Sequence, residues 1–287
     1  MKPPDFDYKA PPTLDGVLET LRDDPDAKVL AGGQSLIPLL GLRLASPSLL
    51  VDLRRVPGLD SVERSDGEVR IGAMVRQRRA ERDALLLACA PLLNKAVLHV
   101  AHPQIRSRGT IGGSVAHADP AAEIPAVLVA LDGRIRTASP TGGQVHTAEE
   151  FFTGFLSTAL ADDEIVTAIE LDVPRPRTGT ACVEVTQRAG DYALCGALAQ
   201  VSLAGGTVED ARVALLGVAD RAVPARATER ALVGEAATPD AAAAAAQHAG
   251  HGITPIDDPQ APAEYRLHLA EVVTRRALQQ ALEEAAR

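Results

Sequence analysis

The sequence KVLAGGQSL, residues 28–36, joins a short apolar run, a pair of glycines and the start of a second apolar run. The first run predicts a buried strand at 28–31, and the residues after the glycines predict a helix at 36–44. A Gly-Gly pair at the exit of a strand permits positive φ angles and lets consecutive backbone N–H groups converge on an anion. The stretch therefore predicts an α/β unit whose turn is either an anion-binding loop or a plain tight turn.

A second pair of glycines, Gly112 and Gly113, lies in the segment TIGGSVAHADP of residues 110–120. Residues 102–119 show little apolar periodicity, which predicts a long functional loop. Two such loops, with hydroxyl groups at Ser35 and Thr110, indicate a ligand with two linked phosphates, such as a dinucleotide, unless both are structural turns. Neither segment matches the GxGxxG or GxxxxGK[ST] pattern, so neither Rossmann nor P-loop binding follows.

Helices and short strands alternate around the two glycine segments. Thr13 is suited to cap a helix at 14–21, and a proline interrupts a helix predicted at 80–100. The sequence DPAAE at 119–123 is typical of a helix start with Asp119 as the N-cap. Further strands are predicted at 49–53, 69–71, 134–137 and 165–171.

A segment rich in proline and glycine, PRPRTG at 174–179, predicts a domain boundary. It divides the chain into residues 1–174, with subdomains of about 1–55 and 56–174, and a C-terminal domain of residues 179–287. Beyond the boundary, apolar patterns predict an antiparallel sheet and two closing helices, so the fold class is α+β. These elements are expected at 181–186, 197–203, 208–215, 239–250 and 262–286.

The composition excludes several classes of protein. The chain has 29 Lys and Arg residues against 38 Asp and Glu residues, a net charge of −9, with four Phe, three Tyr and no Trp. Such a chain is unsuited to binding phosphate backbones or anionic membrane surfaces, and it has few rings on which bases could stack. No apolar run approaches the roughly 18 residues of a membrane-spanning helix. We therefore expect no nucleic-acid partner and no membrane span.

The three cysteines, Cys89, Cys182 and Cys195, are widely spaced and odd in number. This favours a reducing compartment over a disulfide framework, and residues 1–12 lack the apolar core of a secretion signal. We therefore expect a cytoplasmic protein. No pair of cysteines has the spacing of a zinc or iron–sulfur site, so no metal is expected in this chain.

Polar residues near the second glycine segment have two interpretations each. His117 is suited to proton transfer beside a cofactor, or it is a solvated loop histidine. Arg106 and Arg108 either neutralise phosphate or belong to an ordinary surface loop. The sequence alone leaves both choices open.

Three segments carry a family resemblance: AGGQSLIPLL at 31–40, IRSRGTIGGSVAHADPAAE at 105–123 and QRAGDYA at 187–193. In order and in spacing they resemble the FAD-binding medium subunit of the molybdenum hydroxylases, of the carbon monoxide dehydrogenase and xanthine dehydrogenase type. The resemblance extends over nearly the whole chain. It implies the vanillyl-alcohol-oxidase/p-cresol-methylhydroxylase fold, in which two α/β subdomains bind FAD, followed by a C-terminal domain of antiparallel sheet and helices.

The resemblance also implies how FAD is bound. Residues 31–35 would wrap its pyrophosphate and ribityl region, residues 110–114 would form a second loop that contacts phosphate and flavin, and Tyr192 would lie against the flavin ring. Asp119 would face the cofactor, cap a helix, or do both. Ser114 and Gln34 stand where Asn and His are frequent in relatives. The implied cofactor-binding residues are Ala31, Gly32, Gly33, Gln34, Ser35, Leu36, Thr110, Ile111, Gly112, Gly113, Ser114, His117, Asp119 and Tyr192.

The implied function is electron transfer, with no residue of this chain acting on substrate. FAD would take electrons from [2Fe–2S] clusters of a small partner subunit and pass them to an external acceptor, while a large molybdopterin subunit oxidises the substrate. The implied assembly is a dimer of heterotrimers. Two alternatives stay open: a stand-alone flavin oxidoreductase of the same fold, and a flavin-binding assembly module without turnover.

Overall fold

A small parallel sheet forms around the strand Leu49–Asp52, in which every residue is buried. The computed structural model describes residues 2–287 of the chain. The strand order is β1-β3-β2, and helix α1 packs its buried residues Val17, Leu18 and Leu21 into the same apolar cluster as β3. The elements are β1 (Asp7–Lys9), α1 (Leu14–Asp23), β2 (Lys28–Leu30), α2 (Leu36–Leu42), β3 (Leu49–Asp52) and a 3-10 helix (Leu53–Arg55).

An antiparallel sheet of five strands, in the order β4-β5-β10-β6-β7, forms the second unit. Helix α8 is buried along nearly its whole length, because it lies in the apolar cluster that joins this sheet to the third one. The elements are β4 (Val62–Ser65), β5 (Glu68–Gly72), α3 (Gln77–Ala80), α4 (Ala84–Cys89), α5 (Pro91–Val97), α6 (Pro103–Arg106), α7 (Ile111–His117), α8 (Glu123–Ala130), β6 (Arg134–Ala138), β7 (Val145–Thr147), α9 (Ala148–Phe151), β8 (Phe152–Gly154), β9 (Ser157–Thr158) and β10 (Ile165–Asp172).

The third unit is an antiparallel sheet in the order β11-β12-β13-β14, covered on one face by the long helix α12. Its buried alanines and leucines recur at helical spacing and give a flat face against β11 and β12. The elements are β11 (Thr178–Thr186), β12 (Ala193–Ala204), β13 (Thr207–Leu216), β14 (Val223–Pro224), α10 (Arg226–Leu232), α11 (Pro239–Ala246) and α12 (Ala263–Ala285).

The prediction of one long loop at 102–119 was wrong, because α6 and α7 lie within it. Helix α7 contains both glycines of the second segment, although glycine is a poor helix former. Glycine is needed here because of packing: a Cβ on Gly112 would lie 2.7 Å from Ala73 Cα. The tight fit of α7 against the end of β5 therefore outweighs the propensity of its residues.

The prediction that a helix begins at Asp119 was also wrong, because α8 begins at Glu123. Ala118 has a φ of 52° and ends α7 in the left-handed region. The carboxylate of Asp119 then accepts a hydrogen bond of 2.9 Å from the backbone N–H of Ala121. Asp119 thus stabilises the turn between two helices and leaves its carboxylate at the end of α7.

Several short elements, β1 and α10 among them, carried no clear signal in the sequence. All three residues of β1 are exposed, so no apolar pattern marks the strand, which is held by its parallel pairing with β3. Helix α10 is short and begins at Arg226, and it was not expected. Among residues 2–287 no helix combines the length and the apolar character needed to cross a bilayer.

The close contact between α12 and β11 leads us to predict that a larger residue at Gly179 lowers stability. A Cβ on Gly179 would lie 2.0 Å from the carbonyl oxygen of Ala281, so Gly179→Ala forces strand and helix apart. We expect a loss of about 1 to 3 kcal/mol in the free energy of unfolding, the usual cost of overpacking. Gly41→Ala is the matched control, because nothing lies within 4 Å of its added Cβ. Urea unfolding followed by circular dichroism measures both, and equal midpoints would contradict the prediction.

Candidate functional site

A cleft of about 940 Å³ lies where the three units meet. This is near the upper end of the range for ligand sites, roughly 300 to 1,000 Å³. Its walls come from the first glycine segment, from the second glycine segment and the turn after it, and from the loop at 190–192. All the residues expected to bind a cofactor line this cleft except Ile111, whose side chain is fully buried in the core.

The first glycine segment presents free main-chain donors to the cleft. Gly33 has a φ of 75°, the left-handed conformation that glycine adopts at little cost. In the described part of the chain, the backbone N–H groups of residues 32–36 donate to no protein acceptor. Ser35 precedes α2 and its side chain does not cap the helix. The segment therefore has the donors of an anion-binding loop without any basic side chain.

The second glycine segment is different, and the expectation of a second loop of free N–H groups was wrong. The N–H of Ile111 donates to the carbonyl of Val75 at 2.9 Å, and that of Gly112 donates to Ala73 at 2.8 Å. The N–H of Gly113 donates to the hydroxyl of Thr110 at 3.0 Å. These donors are used within the protein, so the segment contributes a closely fitting wall instead of an anion site.

Glycine lets the two segments touch. A Cβ on Gly32 would lie 2.5 Å from the carbonyl oxygen of Arg108 and 2.9 Å from Gly109 Cα. A Cβ on Gly113 would lie 3.5 Å from that of Ala31. The first segment therefore rests directly on the turn that leads into α7.

Arg106 does not neutralise a phosphate. Its side chain is buried, pairs with Glu81 and donates to the carbonyl of Val100 at 2.8 Å. It therefore holds the turn before α6 in place. Arg108 is exposed, and its carbonyl oxygen accepts a hydrogen bond from Arg76.

Ionisable groups are concentrated at the other end of the cleft. His117 Nε2 lies 4.0 Å from Asp119 Oδ2. Tyr192 is 61% exposed, yet partial burial, followed by the negative charges of Asp119 and Glu123, raises the pKa of Tyr192 to about 12. The phenol therefore stays neutral at physiological pH and presents a ring at the mouth of the cleft.

Sequence reasoning missed two residues of the cleft, Gln77 and Glu164. Both side chains are more than nine-tenths buried, and in each the Oε1 atom has no hydrogen-bond partner among the described residues. Both residues line the cleft. Buried acceptors without partners are costly, which points to a ligand with donor groups. No sequence signal marks them, because Gln77 lies in an arginine-rich stretch and Glu164 in an acidic turn.

The chain matches two family models end to end. Residues 4–176 match the FAD-binding domain in molybdopterin dehydrogenase, and residues 181–281 match the C-terminal domain of the CO dehydrogenase flavoprotein. The fold and the cleft thus define a FAD-binding oxidoreductase flavoprotein. The chain belongs to the family of medium, FAD-binding subunits of the molybdenum hydroxylases.

Relatives match over the full length. The 6-hydroxypseudooxynicotine dehydrogenase complex subunit alpha of Paenarthrobacter nicotinovorans is 39% identical over 99% of this chain and 97% of its own. The carbon monoxide dehydrogenase medium chain of Afipia carboxidovorans is 36% identical over 98% of each. A chain in the crystal structure of quinoline 2-oxidoreductase from Pseudomonas putida 86 superposes with a TM-score of 0.96, at 40% identity and complete coverage of both chains.

These matches confirm the fold class and the FAD-binding, electron-transfer role predicted from the three segments. They do not favour a stand-alone oxidoreductase or an assembly module, because the matched relatives include subunits of multi-subunit dehydrogenases. In such complexes the molybdopterin and the iron–sulfur clusters belong to partner subunits.

Proposed function

We propose that the cleft binds FAD with its pyrophosphate on residues 32–36. The free N–H groups of this segment carry the proposal, because they fit an anion and nothing else in the described chain uses them. Gln77 and Glu164 accept hydrogen bonds from donor groups of the cofactor. The proposed contact residues are Ala31, Gly32, Gly33, Gln34, Ser35, Leu36, Gln77, Thr110, Gly112, Gly113, Ser114, His117, Asp119, Glu164 and Tyr192.

FAD supplies a carrier that exchanges electrons both singly and in pairs. The protein binds it, orients it and limits access to it. The first glycine segment holds the charged end, and α7 with its closely packed glycines forms a wall that cannot move without displacing Ala73. Tyr192 covers part of the flavin face and keeps dioxygen from it.

We propose that the chain acts in a dimer of heterotrimers with a small [2Fe–2S] subunit and a large molybdopterin subunit. Electrons enter through the small subunit and leave to an acceptor outside the complex. Relatives named as subunits of 6-hydroxypseudooxynicotine, caffeine and carbon monoxide dehydrogenases support a multi-subunit assembly, and the names of these enzymes differ in substrate. The large subunit therefore selects the substrate. Three buried free cysteines are compatible with a cytoplasmic location.

We also propose the domain limits expected from the sequence. The FAD-binding domain would cover residues 1–174, with subdomains of about 1–55 and 56–174, and the C-terminal domain would cover 179–287. The three main sheets, which comprise residues 7–52, 62–172 and 178–224, support these limits.

Purification of the chain from its native host tests the assembly. We expect flavin, iron and molybdenum to elute together with two other subunits, because the electrons that reach FAD must come from partner clusters. Metal and flavin analysis across the gel-filtration peak measures this. A yellow chain that elutes alone and reduces an acceptor without partners would contradict it.

Gly33→Val tests the phosphate contact. A β-branched residue resists a φ of 75°, so the segment must rearrange and its N–H groups no longer converge. Strain of about 1 to 3 kcal/mol corresponds to a loss of FAD affinity of roughly 5-fold to 150-fold. Gly58→Val is the matched control: its φ is 81° and nothing lies within 4 Å of its added Cβ. FAD titration by fluorescence compares them, and equal affinities would exclude the contact.

Tyr192→Ala tests the placement of the ring. The variant should retain FAD, since the phosphate contacts are intact, but its reduced flavin should react faster with dioxygen because one face is less shielded. Stopped-flow reoxidation measures the rate. Tyr265→Ala is the control, because Tyr265 is a similarly exposed tyrosine on α12 outside the cleft. Equal rates in the two variants would argue against the placement.

A further inference from the structure

The loop that carries Tyr192 projects from the end of the C-terminal sheet. Residues 187–192 join β11 to β12, beyond a register shift in the pairing of these strands after Val185. In the described part of the chain, the backbone of this loop makes one hydrogen bond, in which the N–H of Asp191 donates to the carbonyl of Arg188 at 3.0 Å. That bond lies within the loop itself. Main-chain bonding therefore does not fix where the tip of the loop lies over the cleft.

A contact between Gly190 and His102 places the tip. Gly190 is half-buried, whereas residues 187–189 and 191–192 are exposed. A Cβ on Gly190 would lie 2.3 Å from Cε1, 2.7 Å from Nδ1 and 3.0 Å from Nε2 of His102, so one edge of the imidazole ring lies directly against the glycine backbone. Gly190 is the third residue of the turn and has a φ of 88°, which favours glycine. The ring thus occupies the space that a side chain on the tip would need.

The backbone of His102 is held firmly by its own segment. His102 directly precedes α6, and its carbonyl accepts a hydrogen bond of 3.1 Å from the N–H of Arg106. The guanidinium of Arg106 is buried and paired with Glu81. It also donates to the carbonyls of Val100 and Ala101 at 2.8 Å and 3.3 Å, which fixes the two residues before His102. The histidine is therefore anchored in the FAD-binding region, while the loop that it touches belongs to the C-terminal sheet.

The contact lies at the edge of the cleft and outside its lining. Ala101 and Ile105, which flank His102 in the chain, line the cleft, and so do residues 190–192 of the loop. His102 itself is not among the lining residues. Its side chain therefore does not touch a cofactor bound in the cleft, and any influence it has on that cofactor passes through the loop.

We propose that His102 is a positioning residue that holds the loop at 187–192, and with it Tyr192, over the flavin. The proposal rests on the proposed function of the cleft. Gly190 lies two residues before Tyr192, so a displacement of the glycine also displaces the phenol ring. An exposed loop with few contacts opens at little cost in free energy. When the contact with His102 is lost, the loop opens more often and the flavin face is less covered.

Trypsin cleavage after Arg188, an exposed residue of the loop, tests the contact without any cofactor. The cleavage rate follows the population of the open loop when opening and closing are fast. Loss of the ring contacts in His102→Ala should increase this rate roughly fivefold, which corresponds to about 1 kcal/mol in the opening equilibrium. Cleavage after Arg177, an exposed site at the domain boundary, should stay unchanged. Equal rates after Arg188 in the variant and the wild type would overturn the proposal, whether or not the chain binds FAD.

Gly190→Ala tests the same contact from the side of the loop. The added methyl group meets the imidazole ring, so cleavage after Arg188 should become faster. His102→Ala should then increase the rate less than it does in the wild type, because both changes break one contact. Gly252→Ala is the matched control: its φ is 77° and nothing lies within 4 Å of its added Cβ, so the rate after Arg188 should not change. Additive effects of the two loop variants would contradict the contact.

Reoxidation of the FAD-loaded protein tests what the contact does. In stopped-flow measurements, reduced flavin in His102→Ala should react with dioxygen faster than in the wild type. The affinity for FAD should be unchanged, because residues 32–36 are intact. In a Tyr192→Ala background, His102→Ala should change the rate no further, since the ring that it positions is gone.

The two experiments fail in different ways. No increase in the reoxidation rate, or an equal increase with and without Tyr192, would overturn the positioning role of His102. A chain that holds no FAD would contradict the proposed function of the cleft in the FAD titration itself, while trypsin cleavage after Arg188 still decides whether His102 holds the loop.

Discussion

The cleft depends on the contact between Gly32 and the backbone of residues 108 and 109. This contact is so close that it leaves no room for a methyl group on Gly32. A side chain at Gly32 would push the first glycine segment away from the turn that leads into α7. Helix α7 is in turn fixed to the end of β5, where a Cβ on Gly112 would overlap Ala73. The two α/β parts therefore meet through backbone, and the distance across the cleft is set by atoms that have no rotamers. Close packing of this kind transmits displacement instead of absorbing it.

The electrostatics of the site also depend on backbone groups. An acidic chain with a net charge of −9 holds a proposed pyrophosphate by main-chain N–H groups and uses its nearby arginines elsewhere. Arg106 is occupied by Glu81, and the side chain of Arg108 is exposed. At the other end of the cleft, burial raises the pKa of Glu123 to about 8.

Local patterns predicted most of the regular structure, because an apolar run or a helical repeat reports which face will be buried. Three strands of the five-stranded sheet, β5, β6 and β10, and the long helix α12 follow from such patterns. Errors arose where tertiary contact replaced local propensity. Residues 111–117 were predicted to be a loop because they contain two glycines, but they form α7. The helix keeps these glycines because it packs tightly against Ala73. Asp119 resembled a helix cap but stabilises a turn, because α7 ends immediately before it.

The sequence by itself determined the strand-turn-helix at 28–42, the need for glycine at Gly33 and, through three segments in register, the family and its cofactor. These properties are local or are carried by motifs, so they can be read in order along the chain. Only the tertiary structure decided that the N–H groups of the second glycine segment donate within the protein, that Gln77 and Glu164 reach the cleft, and that Arg106 pairs with Glu81. Each depends on residues far apart in sequence, whose burial and charge have no meaning until the sheets are packed together.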